Sequence, residues 1–214
     1  LKGGHDVVGV DAFTDYYDPS LKRANARWLG SHARYRGVEL DLVTGALDEL
    51  FDGVAAVIHL AGQPGVRLSW SDGFDRYVER NVLASQRVLE SVRRTAAPRL
   101  VLASSSSVYG NAAVYPTTEE SPTRPFSPYG VTKLAMEELA WSYVDNWQVP
   151  VVALRYFTVY GPRQRPDMAF TPLLEALDAG VPFRLYGDGS ASRSFTFVAD
   201  AVAATERGQR RVRQ

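Results

Sequence analysis

Cysteine is absent from the 214 residues, which excludes disulfides, thiolate nucleophiles and thiolate metal sites. Histidine is scarce. His5, His32 and His59 are scattered without ligand spacing, so no metal site is expected. An excess of either charge is also missing. The 24 basic side chains balance 24 acidic ones, which leaves no electrostatic case for nucleic acid or an anionic membrane as a partner. No apolar run reaches the ~18 residues that a spanning helix needs. The opening Leu1-Lys-Gly-Gly-His-Asp-Val-Val lacks a hydrophobic core of the signal-peptide kind. These absences are compatible with a cytoplasmic protein, and that location is expected. What remains, 45% hydrophobic and 22% charged, suits a globular chain able to bury a sizeable core.

What is present alternates strand with helix. Asp6-Val-Val-Gly-Val10 reads as a strand ending at Asp11, which is either a turn residue or the acid that takes ribose hydroxyls in a dinucleotide-binding unit. A helix with proline in its opening turn follows over Pro19 to Leu29. A strand over Tyr35 to Leu40 then ends in Asp41-Leu42, and Leu47 to Phe51 is briefly helical. Val54 to Leu60 is a continuous apolar run, the mark of a strand buried on both faces. It stops at Ala61-Gly62-Gln63-Pro64-Gly65, where small residues admit either a ligand or packed backbone. A long helix is expected over Gly73 to Thr95, apolar at Phe74, Tyr77, Val78, Val82, Val88, Leu89 and Val92. His59 reads as a packed residue at a strand end.

Arg99 to Ala103 is the next buried strand, and it delivers the run Ser104-Ser105-Ser106-Ser107 at its C-terminal end. A loop rich in Pro and Thr leads to Ser127-Pro128, where a helix begins with an apolar side at Val131, Leu134, Ala135, Leu139 and Val144. Val149 to Leu154 is a further strand. This rhythm predicts βαβ units, a mostly parallel sheet and ligands at the C-terminal ends of its strands. From Arg163 the texture changes to a loop, a short helix over Pro172 to Ala179, a small strand and turn over Phe183 to Gly189, and a last helix opened by Arg193 to Asp200. The expected division is a Rossmann-like domain over 1–162 and a small, incomplete C-terminal lobe over 163–214, whose last helix packs back on the first domain. The four arginines of the tail Arg207 to Gln214 are expected to be an exposed basic end.

Tyr129 and Lys133 lie four apart, so their side chains share one helical face. An ammonium beside a phenol favours the phenolate and makes a proton shuttle of a poor base. Taken alone, the pair reads as an exposed Tyr and Lys on a solvated face, and only its context argues otherwise.

Four stretches occur in order: Ala103-Ser-Ser-Ser-Ser-Val-Tyr-Gly110, Pro128-Tyr-Gly-Val-Thr-Lys133, Leu154-Arg-Tyr-Phe-Thr-Val-Tyr-Gly-Pro-Arg163, and Tyr186-Gly-Asp-Gly189 through Arg193-Ser-Phe-Thr-Phe-Val198. Together they resemble the extended short-chain dehydrogenase/reductases that act on nucleotide sugars with NAD. The resemblance implies that Ser105, Tyr129 and Lys133 are catalytic. It assigns Asp11 to the adenosine ribose, Asp41 and Leu42 to the adenine edge, and Ala61, Gly62 and Gln63 to the pyrophosphate side. Ser104 and Tyr156 join the cofactor set, and Tyr129 and Lys133 also contact the nicotinamide ribose. Arg163 and Arg193 would hold the nucleotide diphosphate, with Phe183 and Tyr186 around the base. Ser194 stands where many relatives have Asp. A homodimer through the helices around Tyr77–Val92 and Tyr129–Val144 is implied as well.

Within that family, 4,6-dehydratases have Asp and Glu where this chain has Ser106 and Ser107. Decarboxylating relatives commonly have Glu at Ser107 and Asn at Thr158, and galactose-type epimerases tend to have that Asn too. The serine run, the Phe-Thr-Val-Tyr-Gly stretch, Tyr16-Tyr-Asp-Pro-Ser-Leu-Lys-Arg23 and Arg165-Pro-Asp-Met168 are most similar to UDP-glucuronate 4-epimerases. Ser106, Ser107 and Thr158 can offer neutral hydroxyls to a sugar carboxylate without repelling it. The implied reaction interconverts UDP-glucuronate and UDP-galacturonate through a 4-keto intermediate and bound NAD+. The alternatives are a UDP-glucose/galactose 4-epimerase, a UDP-glucuronate decarboxylase and a non-catalytic relative that binds NAD or a nucleotide sugar. The Gly-x-x-Gly-x-x-Gly loop of the family is missing before Leu1. The chain is therefore expected to be part of a longer protein, and by itself to bind NAD poorly.

Overall fold

The computed structural model describes residues 1, 3–70, 72–95, 99–112, 114–185, 187–190 and 192–210. In chain order its regular elements are β1 (Val7–Asp11), α1 (Pro19–Gly30), β2 (Tyr35–Glu39), α2 (Asp48–Phe51), β3 (Ala56–His59), α3 (Phe74–Tyr77), α4 (Ala84–Arg94), β4 (Arg99–Ser105), α5 (Pro128–Trp147), β5 (Val151–Tyr156), β6 (Thr158–Tyr160), α6 (Phe170–Ala179), β7 (Phe195–Phe197) and α7 (Val198–Arg210). A π-helical stretch, Val78–Leu83, joins α3 to α4, and a 3-10 turn, Ser106–Tyr109, follows β4. The chain divides into two compact units, Leu1–Glu39 with Phe157–Val202, and Leu40–Tyr156 with Ala203–Gln214.

In the first unit β1 and β2 pair in parallel, with Val7 opposite Tyr35 and Asp11 opposite Glu39. The helix between them starts where sequence chemistry places it. Pro19 fits the first turn, and the Asp18 carboxylate accepts the Ser20 N–H at 2.8 Å. The later stretch supplies a second parallel pair, β6 and β7, with Thr158 opposite Phe195. Tyr160, Phe170, Phe195 and Phe197 cluster there, with ring centroids of Phe170 and Phe195 4.8 Å apart. Arg163 lies over the Trp28 ring at 4.6 Å, and the Tyr16 hydroxyl donates to Asp167 at 2.9 Å.

The second unit holds a three-stranded parallel sheet in the order β3-β4-β5. Alternate β4 residues serve opposite faces. Leu100 and Leu102 enter a buried cluster with Val88, Leu89 and Val92 of α4 and Met136 and Ala140 of α5. Val101 faces Gly208 of α7, where a Cβ would lie 3.6 Å from the valine. Helices therefore cover both faces of this sheet, the flanked parallel architecture that the strand–helix rhythm predicts.

Several local expectations are corrected. The buried face of α5 is Gly130, Thr132, Lys133, Met136, Glu137, Ala140 and Tyr143, whereas Val131 is 50% exposed. Polar partners reaching from β4 and β5 decide that face, not hydrophobicity alone. Phe74 and Val78 are exposed, and Tyr77, Val88, Leu89 and Val92 carry the burial of the Gly73–Thr95 helix. No strand forms over 183–189 among the described residues, and Leu185 is 63% exposed there. Phe195–Phe197 is a strand, so the last helix starts only at Val198. Pairing with β6 overrides the helical reading of that stretch.

Candidate active site

Tyr129, Lys133 and Glu137 fall at successive four-residue steps along α5. The helix is set by Pro128 at its first position and by the Ser127 hydroxyl, which accepts the Gly130 N–H at 3.1 Å. Lys133 is buried, and its Nζ donates to the Ala103 carbonyl of β4 at 2.8 Å. Burial pulls its pKa down to about 8, and the Glu137 carboxylate opposes that fall. The Tyr129 ring meets Tyr77 edge to face at 6.3 Å. Gly130 is needed because a Cβ there would sit 2.6 Å from the Ser107 carbonyl. The serine turn thus rests directly on the first turn of α5. Ser105 caps that turn, its hydroxyl accepting the Ser107 N–H at 3.1 Å, while Ser106 and Ser107 are half-buried.

The strand-end turn after β3 completes this half of the site. A Cβ on Gly62 would meet Asn81 Oδ1 at 2.7 Å and Lys133 Nζ at 3.4 Å, so only glycine lets the turn lie beside the lysine. Asn81, fully buried in the π-helical stretch, clamps the turn. Its Oδ1 accepts the Gln63 N–H at 2.7 Å, and its Nδ2 donates to the Gln63 carbonyl and to Thr132 Oγ1. Thr132 in turn donates to the Tyr129 carbonyl at 2.8 Å. Behind Asn81, the Ser85 hydroxyl donates to the Asn81 carbonyl at 2.6 Å, and His59 Nε2 lies 3.0 Å from the Ser85 oxygen. With its proton spent on Asn81, Ser85 accepts from His59, which fixes the Nε2–H tautomer. Burial depresses the His59 pKa to about 3, so the ring stays neutral. His59 is the packed strand-end residue that was expected.

Ser104, on the same face of β4 as Leu100 and Leu102, donates to Glu137 of α5. Glu137 is 1% exposed, and Arg155 of β5 holds it through Nε and a terminal nitrogen, the shorter contact 2.8 Å. The other terminal nitrogen of Arg155 donates to the Tyr109 hydroxyl at 3.0 Å and to the Glu119 carbonyl at 3.2 Å. Neither Asn81, Glu137 nor Arg155 was singled out from sequence. The four-residue step from Lys133 to Glu137 was a readable signal for one of them. An Asn one turn after Tyr77 and seven residues before Val88, on the apolar stripe of that helix, was the signal for another.

The remaining predicted residues take these places. Asp41 and Leu42 lie in the second unit, where Asp41 accepts the Val43 N–H at 2.7 Å. Arg87 donates to the carbonyls of Leu42 and Gly45. Ala61 and Gly62 are exposed and Gln63 is buried, its Oε1 accepting from Arg80. The Tyr156 hydroxyl pairs with Thr205 Oγ1 at 2.5 Å, and burial raises its pKa. In the first unit Asp11 is exposed at the end of β1 and accepts the Phe13 N–H at 2.7 Å. Thr158 is in β6, and Arg163 is exposed with φ 67°. Phe183 is exposed, and exposed Arg193 donates to the Ser192 carbonyl. Tyr186 lies outside the described residues. The second unit therefore brings together Ser104–Ser107, Tyr129, Lys133 and the 61–63 turn; Asp11, Thr158, Arg163, Phe183 and Arg193 belong to the first. Among the described residues there is no cluster of His, Asp and Glu suited to a metal ion, and no helix long and apolar enough to cross a membrane.

Residues 1–208 match the family model described as the NAD dependent epimerase/dehydratase family. One similar curated protein is the uncharacterized UDP-glucose epimerase YtcB of Bacillus subtilis (strain 168), 43% identical over 92% of this chain and 62% of that protein. A similar solved structure is UDP-glucuronic acid 4-epimerase from Bacillus cereus in complex with UDP-glucuronic acid and NAD. It has TM-score 0.91 and 39% identity, over 95% of this chain and 65% of that one. MoeE5 in complex with UDP-glucuronic acid and NAD is also similar, with TM-score 0.85 and 40% identity over 100% of this chain and 66% of that one. The chain thus spans about three fifths of the length of the first of these proteins.

Proposed function

The chain belongs to the NAD dependent epimerase/dehydratase family, and from that premise we propose that it carries the catalytic half of a UDP-sugar 4-epimerase acting on UDP-glucuronate to give UDP-galacturonate. The observation that carries this reading is the buried Lys133 ammonium on the Tyr129 stripe, set against a serine turn with no acidic side chain. Similarity to the Bacillus cereus enzyme supports the choice of sugar. The residues suit NAD: Lys133 spends one of its three donors on Ala103, and the glycine-bearing turn beside it leaves backbone exposed at the C-terminal end of β3. Bound NAD+ supplies a reversible hydride acceptor.

The chain's own residues handle the proton and the sugar. Tyr129, charged as phenolate against Lys133, removes the proton of the 4-hydroxyl, and Ser105 hydrogen-bonds the same oxygen as it becomes a carbonyl. The 4-keto sugar then turns over and regains hydride on its other face, while Tyr129 returns the proton. Ser106 and Ser107 present neutral donors to the sugar carboxylate. Holding it discourages loss of CO2 from the β-keto acid, and no Asp or Glu stands there to drive elimination of water. For Asp11, Asp41, Leu42, Tyr156, Thr158, Arg163, Phe183, Tyr186 and Arg193 the roles are those that the family resemblance implies, and a cytoplasmic homodimer belongs to the same reading.

A second substrate, UDP-glucose, is favoured by the likeness to YtcB. Incubating the complete protein with NAD+ and either sugar, then separating the products, tests both. UDP-galacturonate supports the first reading, and UDP-galactose alone replaces it with the second. UDP-xylose or a dehydrated 4-keto sugar overturns both.

A further inference from the structure

Glu137 and Arg155 are the most heavily committed charged pair of the second unit. Both oxygens of Glu137 are occupied, one by Ser104 and Arg155 Nε, the other by Nε and a terminal nitrogen of Arg155. Arg155 also stacks over the Tyr109 ring at 4.9 Å, donates to that tyrosine's hydroxyl and holds the Glu119 carbonyl in the loop before α5. One pair therefore ties together β4 through Ser104, β5, the end of the serine turn, the following loop and α5. Ser104 separates Ala103, whose carbonyl receives Lys133, from Ser105. Packing alone does not call for such a pair, because apolar residues of similar volume usually stabilise as well or better.

Charge gives a second reason. Tyr129, Lys133, Glu137 and Arg155 alternate in sign once the phenol is ionised, so the file is neutral as a whole. Resting on the proton-shuttle reading above, we propose that Glu137 and Arg155 are a positioning pair: they fix the serine-bearing end of β4 against α5, and Glu137 is the counter-charge of the Lys133 ammonium. Around Lys133 the other facing groups are few. Tyr129 lies one turn earlier on α5. His59 of β3 is neutral throughout the working range. β4 offers only the Ala103 carbonyl, and Asn81 of the π-helical stretch carries no charge. Glu137 is thus the carboxylate that acts on the lysine. The guanidinium is fixed in turn, because the hydrogen-bonded Glu137 raises the Arg155 pKa further.

The test uses the complete protein loaded with NAD+. The Lys133 side-chain resonance, identified by its loss in Lys133→Arg, is titrated by NMR in the wild type, Glu137→Gln, Glu137→Asp and the double variant Glu137→Gln/Arg155→Met. The double variant removes both charges and leaves no unpaired guanidinium, so it covers a failure of Glu137→Gln to fold. We expect the Lys133 midpoint to fall by about one pH unit in Glu137→Gln, to fall by less in the double variant, where the Arg155 charge leaves with the carboxylate, and to stay in place in Glu137→Asp. We expect kcat at pH 8 to fall about tenfold with KM changed less than about threefold, and the double variant not to recover it. An unmoved Lys133 midpoint in a folded variant lacking the carboxylate, or full kcat in the double variant, would overturn the proposal. If the wild type turns over no UDP-sugar, the assigned reaction fails, while the Lys133 midpoint still decides the pairing.

Discussion

A phenol does acid–base work near neutral pH only if something stabilises its anion, and the proposed shuttle gives that task to the Lys133 ammonium, which is buried and anchored on Ala103. Tyr129→Phe removes the proton acceptor and leaves the ring in its place beside Tyr77. Turnover should fall by at least about 100-fold while NAD affinity, read by calorimetry, stays within about threefold; a fully active variant would refute the shuttle. His59 yields a prediction about stability. Its folded pKa is about 3 against an ordinary 6.5, so the unfolded chain binds the extra proton between those values. Its contribution is intact above pH 6.5 and shrinks as the pH falls, by up to about 1.4 kcal/mol per unit. His59→Gln keeps a donor for Ser85 and should flatten the loss between pH 7 and 5 in urea titrations. An equal slope in both proteins would remove His59 from the account.

The helix from Gly73 to Thr95 was legible as one long element, because its apolar positions recur at helical spacing. The π-helical stretch inside it, Val78–Leu83, was not. Its cause is tertiary: Asn81 answers both polar groups of the Gln63 peptide, and no local pattern announces that demand. Asn81→Ala strands those groups in a buried place and should cost about 2–4 kcal/mol in a denaturant titration. Because Thr132 also loses a partner, kcat should fall with it; a loss below about 0.5 kcal/mol would mean that the clamp is idle. The apolar stripe of α5 was misread for a related reason. Lys133 and Glu137 are buried because β4 and β5 supply their partners, and hydrophobic spacing sees only the side chains of the helix itself. Pairing across the chain likewise made Phe195–Phe197 a strand where local sequence read as a helix start.

For the molecule as a whole, the order of motifs was the strongest signal in the sequence. The serine-bearing strand end, the Tyr-x-x-x-Lys helix and the Tyr-Gly-Pro stretch identified the family that residues 1–208 match, and the strand–helix rhythm gave the flanked parallel sheet. Fine assignments were less accessible, since Glu137 and Arg155 become partners only when β5 is laid beside β4. Cofactor choice belongs to this scale, because it shows in the stability of the complete protein. If Asp11 takes the ribose as proposed, NAD at about 100 times its Kd should add about 2.7 kcal/mol to unfolding, whereas NADP should add far less because a carboxylate repels its extra phosphate. Equal thermal shifts with the two would displace Asp11 from that role. The central claim is that hydride leaves and returns to the same sugar carbon without meeting water. It is tested most directly by supplying the complete protein with UDP-glucuronate deuterated at C4 and following the label by NMR and mass spectrometry. The account predicts UDP-galacturonate with deuterium retained at C4 and none released to solvent; product carrying protium at C4, with the label in water, would contradict it.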